Sequence, residues 1–193
     1  MTGSAAIASD AELVERAQSG DAEAFAEVAA RYRPALVALA FDRTRNLDDA
    51  EDLAQEALAR AFERLPELAH AASFPAWLRA IAGNLCATWA RRPRALALTE
   101  TEPDRADVVA AAIARCEQRE IARALQALPT ANRHALLMHV WCDMPYERIA
   151  AFLGVPVTTV EGRIFRARLR LRRTLMTKVT TLRSRHRKEL TDE

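Results

Sequence analysis

The stretch VPVTTVEGRIFRARLRLRR, Val155 to Arg173, decides how this chain is read. From Arg166 onward, arginines alternate with apolar residues, a period of two that would suit a strand. Its flanks carry helical patterning instead. At about 100° per residue, Val160, Ile164, Ala167, Leu171 and Leu175 fall on one stripe. Thr159, Arg163, Arg166, Arg170 and Arg173 fall on another, about a third of a turn away. The alternation is therefore helical phase, and one helix has a buried stripe beside a cationic face.

What precedes this helix specifies its setting. Tyr146 to Leu153 is a short helix, and Gly154 can take the left-handed backbone that a tight turn requires. Ala150 is small where two helices would cross closely, and Val160 faces back into the angle between them. Ile149, Leu153, Val155 and Ile164 complete an apolar wedge. This is the pattern of a helix-turn-helix whose second helix is rich in arginine. Such a helix fits the major groove, where arginine pairs bidentately with guanine. Arginines further along suit phosphates. A solvated face is the ordinary meaning of a charge run. A membrane-surface helix needs a large apolar face that is not left over once the buried stripe is assigned.

The rest of the chain reads as helix after helix. At 193 residues, half apolar and 28% charged, it has the size and balance for one or two small globular domains. Glycine is scarce, with 5 residues, aromatic content is 6%, and runs of β-branched residues bounded by turns are missing. The expected fold class is all-α. Asp10 is placed as the N-cap of a helix over 11–18 that ends at Gly20, and Asp21 as the cap of the next. The clearest helix runs from Leu47 to Leu65. Its apolar face is Ala50, Leu53, Ala54, Ala57, Leu58, Ala61, Phe62 and Leu65, leaving Asp52, Gln55, Glu56 and Glu63 outside. Pro66 ends it, and another helix covers Phe74 to Trp89.

Residues 93–108 carry Pro93, Pro103 and several acids with little periodicity, which predicts a linker. Helices resume over 109–128, 130–141, 146–153 and from Val157 to about Met176, joined by short loops. The expected domains are therefore 11–92 and 109–176, with an N-terminal tail over 1–10 and a basic tail over 177–193. That tail would add nonspecific DNA affinity or be disordered.

Charge is distributed unevenly although the net charge is only +2. Gly162 to Lys188 holds eleven Arg or Lys residues and no acid, whereas Asp42 to Glu67 is acid-rich. An anionic partner for the C-terminal part and a different one for the first half follow. No apolar run approaches a bilayer span, and Met1 to Asp10 has no features of a secretory signal, so no membrane insertion is expected. Cys86, Cys116 and Cys142 are odd in number and far apart, which suits a reducing cytoplasm. His134, His139 and Cys142 approach ligand spacing, but no fourth ligand is evident and structural histidines explain them better. Neither a metal site nor a catalytic nucleophile is expected, and no cofactor.

With these segments in view, the chain from about Ala11 to Leu175 resembles a bacterial sigma factor of the extracytoplasmic-function (ECF) class. The resemblance rests on Asp49-Ala-Glu-Asp-Leu-Ala-Gln-Glu-Ala-Leu58 and Phe74-Pro-Ala-Trp-Leu-Arg-Ala-Ile-Ala-Gly-Asn84 in the first half. In the second half it rests on Ala127-Leu-Pro-Thr-Ala-Asn-Arg133 and on Tyr146 to Arg168. It implies a sigma region 2 domain that grips core RNA polymerase and recognises the melted −10 promoter element. It also implies a region 4 domain that binds the −35 element as duplex DNA. Asp52, Gln55 and Glu56 match the surface that docks on the polymerase clamp helices, and an acidic and amide row suits a basic partner. From the residues alone, the same row reads as a solvated face.

For the −10 element, the resemblance implies capture of a flipped base by the loop Leu65 to Ser73, with Leu68, Ala69 and His70, and by Asn84. An amide can read a base edge, although a lone asparagine more often partners local backbone. Phe74, Trp77 and Trp89 would be stacking platforms or core, and their spacing favours core. Arg91 and Arg92 would meet phosphates. The −35 surface implied by the resemblance is Thr158, Thr159, Glu161, Gly162, Arg163, Phe165, Arg166 and Arg170.

Glu161 stands where the family commonly has a basic residue. It can accept from a cytosine amino group, or pair with a nearby arginine. Asp143 and Pro145 replace residues that are often Gly and Ser, and proline suits a first helical position. The resemblance also implies an anti-sigma protein as partner. A stand-alone helix-turn-helix regulator is the alternative, but it leaves the Asp52/Gln55/Glu56 helix and the Phe74 to Asn84 segment unexplained.

Overall fold

Leu13, Val14, Tyr32, Leu36, Phe74 and Leu78 are fully buried, and the helices that carry them form the first core of the protein. A computed structural model describes the backbone of residues 8–91 and 121–189, with side chains up to residue 176. The helices are α1 (Asp10–Gln18), α2 (Ala22–Thr44), α3 (Leu47–Glu63) and α4 (Phe74–Ala90), then a stretch described over 121–126, α5. After it come α6 (Thr130–Val140), α7 (Tyr146–Leu153) and α8 (Val157–Glu189). Among the described residues there is no strand. The expected linker 93–108 lies outside the described residues, as does Cys116.

Capping residues set the helix starts. α1 is capped by Ser9 rather than by Asp10: the Ser9 hydroxyl accepts from the Glu12 N–H, and the Glu12 carboxylate accepts from the Ser9 N–H at 2.8 Å. That reciprocal box holds the Glu12 carboxyl below its usual range, chiefly through the Ser9 backbone hydrogen bond. Asp10 is thereby released to meet Arg31 Nη1 at 2.7 Å and the Tyr32 hydroxyl. Asp21 caps α2, accepting from Ala24 N–H at 3.0 Å, and Asn46 caps α3.

α2 continues through Pro34, which lacks an N–H to donate and costs roughly 3 kcal/mol in a helix interior. Ala35, Leu36, Ala38, Leu39 and Ala40 are all buried just beyond it, and their packing offsets that cost. Against α2 lie α1, α3 and α4. α3 presents Ala50, Ala54, Ala57 and Ala61, each essentially buried, so its backbone can come close. Phe62, expected on that apolar face, is instead 51% exposed, with its ring 4.9 Å from Phe25. α3 ends at Glu63, and Leu65 belongs to the short 3-10 turn that Pro66 permits.

Contacts divide the described residues differently from the expected boundaries. α1 to α4 gather with 137–160 into one compact unit, and the described remainder forms a second. Within the first unit α7 packs on α4, and Phe152 is fully buried with its ring stacked 5.8 Å from Tyr32. Tyr32 also meets Phe74 edge-on at 6.1 Å, and burial pushes its hydroxyl pKa well up. Cys86 is buried, and burial pushes the Cys142 thiol up to about 11; both are free thiols. Cys142 Sγ donates to the Pro34 carbonyl at 3.3 Å.

α7 closes at Gly154, whose φ of 66° is left-handed. Arg79 Nη2 is the nearest atom that a Cβ there would meet, at 4.0 Å, so the demand for glycine comes from the backbone alone. Gly154→Ala is expected to lower stability by about 1 kcal/mol in urea denaturation. Ser9→Ala removes the hydroxyl but keeps the backbone N–H, so the Glu12 carboxyl should move only part of the way back towards its ordinary pKa in an NMR titration. The stabilisation linked to that depressed pKa is present above the ordinary carboxylate range and lost as pH falls through it.

Candidate nucleic-acid and partner interfaces

The α3 face opposite its alanines is open. Asp52, Gln55 and Glu56 are exposed at i, i+3 and i+4, which puts them on one side of the helix. Glu56 pairs with Arg60 at 2.6 Å, whereas Asp52 and Gln55 make no side-chain hydrogen bond or ion pair among the described residues. The local i,i+4 pairing expected of a solvated face therefore accounts for Glu56 and not for its two neighbours.

In the loop after α3, Leu68 is buried at 8% exposure. Gln18 Nε2 holds the loop backbone by donating to the Leu65 and Leu68 carbonyls at 3.0 and 2.8 Å. This tie was not legible beforehand, because it joins residues far apart in the chain. Ala69 and His70 remain exposed. Asn84 is exposed on α4, and its amide has no hydrogen-bond partner among the described residues, leaving donor and acceptor open. Its backbone carbonyl accepts from Thr88 Oγ1 at 3.0 Å. Arg91 Nη2 reaches the same hydroxyl at 3.3 Å. Arg92 lies outside the described residues. Phe74 is core, while Trp77 and Trp89 are half-buried.

In the helix-turn-helix, Val155 N–H donates back to the Ala150 carbonyl at 3.1 Å as the chain leaves α7. Pro145 is the N-cap of α7 rather than its first helical residue, with ψ at 152°. Asp143, in the loop before it, has a φ of 49°, a left-handed backbone that aspartate tolerates better than most residues. After Pro156, α8 starts at Val157, and Val160, Ile164 and Ala167 are buried along it. Leu171 is only half-buried and Leu175 is 38% exposed, so the buried stripe is shorter than expected. The α8 backbone continues as helix to Glu189, well beyond Met176.

On the open side of α8, Thr158, Glu161, Phe165, Arg166 and Arg170 are exposed, and Thr159, Gly162 and Arg163 are half-buried. Arg166 lies over Gly162: a Cβ there would stand 3.1 Å from Arg166 Nη1, the far end of an exposed side chain that can yield. Glu161 makes no ion pair among the described residues. Arg163, at i+2, points elsewhere on the helix, and the helical neighbours Val157, Thr158, Ile164 and Phe165 include no cation. Pairing with a nearby arginine, one of the two alternatives for Glu161, is therefore not formed among the described residues.

Arg133, at the end of the Ala127–Arg133 segment, was not singled out from the sequence. It is 7% exposed, and its Nη1 donates to the Gln126 and Leu128 carbonyls at 3.1 and 2.9 Å. It thereby binds the loop between α5 and α6. An arginine just inside a helix start, after a Leu-Pro turn, is the signal that could have found it. Among the described residues no group of three or more His, Cys, Asp and Glu could hold a metal ion. His139 Nδ1 instead faces the Met144 carbonyl at 3.3 Å, and its ring lies 4.8 Å from Tyr146. No described helix is long and apolar enough to cross a membrane.

Comparison with known proteins agrees with this geometry. The family model for Sigma-70 region 2 matches residues 28–96, and that for Sigma-70, region 4 matches residues 118–171. The RNA polymerase sigma-H factor of Pseudomonas aeruginosa is 34% identical over 82% of this chain and 90% of its own length. The ECF RNA polymerase sigma-E factor of Escherichia coli K12 is 32% identical with the same coverage. A probable RNA polymerase sigma factor, RfaY of Xanthomonas campestris, is 32% identical over 86% of this chain, which spans only 44% of that longer relative. Among solved structures, CnrH in complex with the cytosolic domain of CnrY superposes with a TM-score of 0.57. That match has 29% identity and covers 87% of this chain and 97% of CnrH. The chain belongs to the sigma-70 family, in its ECF class. It is an ECF sigma factor that directs transcription, and the reading as a stand-alone regulator is not favoured.

Replacing Arg133 by methionine keeps most of its volume but leaves two carbonyls without their donor. Arg133→Met is expected to lower the stability of the chain by about 1–3 kcal/mol, read by urea denaturation.

Proposed function

We propose that the chain is a dissociable, non-enzymatic subunit that binds core RNA polymerase and gives it promoter choice. The observation that carries this reading is the pairing of two unlike open surfaces on one chain. One is the acidic and amide row on α3, two of whose members lack partners; the other is the arginine face of α8. A regulator acting alone has use for the second only. Asp52, Gln55 and Glu56 dock on a basic helical surface of the polymerase. Ala69, His70 and Asn84 take up an unstacked base of the −10 element, with Arg91 and Arg92 on phosphates. Domain 11–92 performs these tasks, and domain 109–176 binds the −35 duplex through α8.

A partner protein that occupies the same surfaces, an anti-sigma factor, regulates access. The complex of CnrH with the cytosolic domain of CnrY supports a partner of this kind. The chain works in the cytoplasm, where polymerase and promoter are found.

The test is reconstitution. Purified chain plus core polymerase starts transcription at a cognate promoter, whereas the chain alone binds duplex DNA weakly. Tight operator binding without polymerase, and no supported transcription, would sink the reading. Asp52→Arg and Gln55→Arg should each weaken binding to core polymerase by about tenfold, measured by fluorescence anisotropy, with the thermal melt unchanged.

A further inference from the structure

The open side of α8 carries, apart from its cationic face, a strip of different chemistry. Thr158, Glu161 and Phe165 are spaced i, i+3 and i+7, so they share a stripe. All three are exposed, Phe165 to 68%. Glu161 has no ion pair or hydrogen bond of its own among the described residues, despite the arginines nearby. Arg166, the arginine that follows Phe165, lies back over Gly162 instead.

An unpaired carboxylate on such a helix constrains what it can face. Phosphate oxygens only accept hydrogen bonds and are anionic, so they repel it. In the major groove, amino groups are the donors: N4 of cytosine and N6 of adenine. Adenine presents its N7 acceptor beside that amino group, which disfavours a carboxylate there. Cytosine is the better match. Phe165 is one turn along, about 6 Å by helical rise, which corresponds to one or two base pairs. A large exposed apolar side chain at that place suits the thymine methyl, the apolar group of the major groove.

We infer that Glu161 and Phe165 act as one reading unit in the −35 element: Glu161 accepts from a cytosine amino group, and Phe165 packs on a thymine methyl one or two base pairs away. The inference rests on the proposed −35 role of α8. Arg163, Arg166 and Arg170 form a separate stripe further round the unburied side of the same helix and supply phosphate or guanine contacts, so the strip shares that side with a DNA-facing surface.

The test uses full-length chain with core polymerase on a promoter library randomised across the −35 element, plus direct competition of the chain for the same duplexes. Wild type is expected to require cytosine at one position. Glu161→Ala should reduce that preference by about tenfold or more while binding to the other three base pairs stays equal or strengthens. Glu161→Gln should shift the preference towards adenine, because glutamine both donates and accepts. Phe165→Ala should lose a thymine preference one or two pairs away and leave the cytosine preference intact.

Unchanged base preferences in Glu161→Ala and Phe165→Ala, with wild type still selecting promoters, would overturn the inference and spare the function. Weaker binding of these variants to polymerase or another protein, with base preferences intact, would assign the strip to a protein contact and overturn it too. A wild type that neither starts transcription nor selects any duplex would overturn the function and this reading together.

Discussion

The 100° advance of successive helical residues governs what α8 can do, because burial and charge must be separated around one axis. Val160, Ile164 and Ala167 are buried on one side of it, and Arg166 and Arg170 are exposed on another. A strand with the same alternation would have sent its arginines to one flat face. In a helix, the apolar anchor instead fixes the rotation of every other residue. That is why Glu161, Gly162 and Phe165 have defined places relative to the arginines. Extension of the helix to Glu189 carries its backbone beyond the buried stripe.

A second set of constraints meets at Tyr32. Its ring lies between Phe74 and Phe152, and its hydroxyl ends on Asp10, which also holds Arg31. One buried aromatic with a satisfied polar tip thus ties together α1, α2, α4 and α7. The arrangement depends on Ser9 taking over the cap of α1, since Asp10 could not serve both ends. It also leaves α3 free to bury a plain alanine face and to turn Asp52 and Gln55 outward. The open polar row is therefore a consequence of how little α3 needs in order to pack.

Much of this was legible in the residues. The bounds of α7, the glycine that closes it and the start of α8 follow from local chemistry, as does the exposed row on α3. Periodicity was a weaker guide wherever a residue's exposure depends on a distant neighbour. Phe62 fits the apolar phase of α3 but lies half in solvent against Phe25, because the phase says nothing about where the packing ends. Leu68 looked like part of an open loop, yet Gln18 draws the loop backbone inward and the side chain follows into the core. Phe152 carried no special signal within its short helix, and its burial comes from Tyr32. Pro34 lies inside a long helix because the residues after it are packed tightly enough to keep the helix going.

The sequence by itself determined the helical class, the helix-turn-helix and the division between an acidic and a basic part, since all three rest on spacing, turn chemistry and charge within short windows. Tertiary structure decided which of those residues are available. Leu68 was withdrawn, Leu175 was left exposed and Arg133 was drawn in to hold a loop, each through neighbours that no local pattern names. Glu161 lies between the two cases. The lack of a cation at helical spacing was written in the sequence, but only the formed helix, with Arg166 folded over Gly162, leaves the carboxylate without a partner. Such an exposed charge is hydrated as it stands, and it would have a desolvation cost only when covered, where a specific donor offsets it.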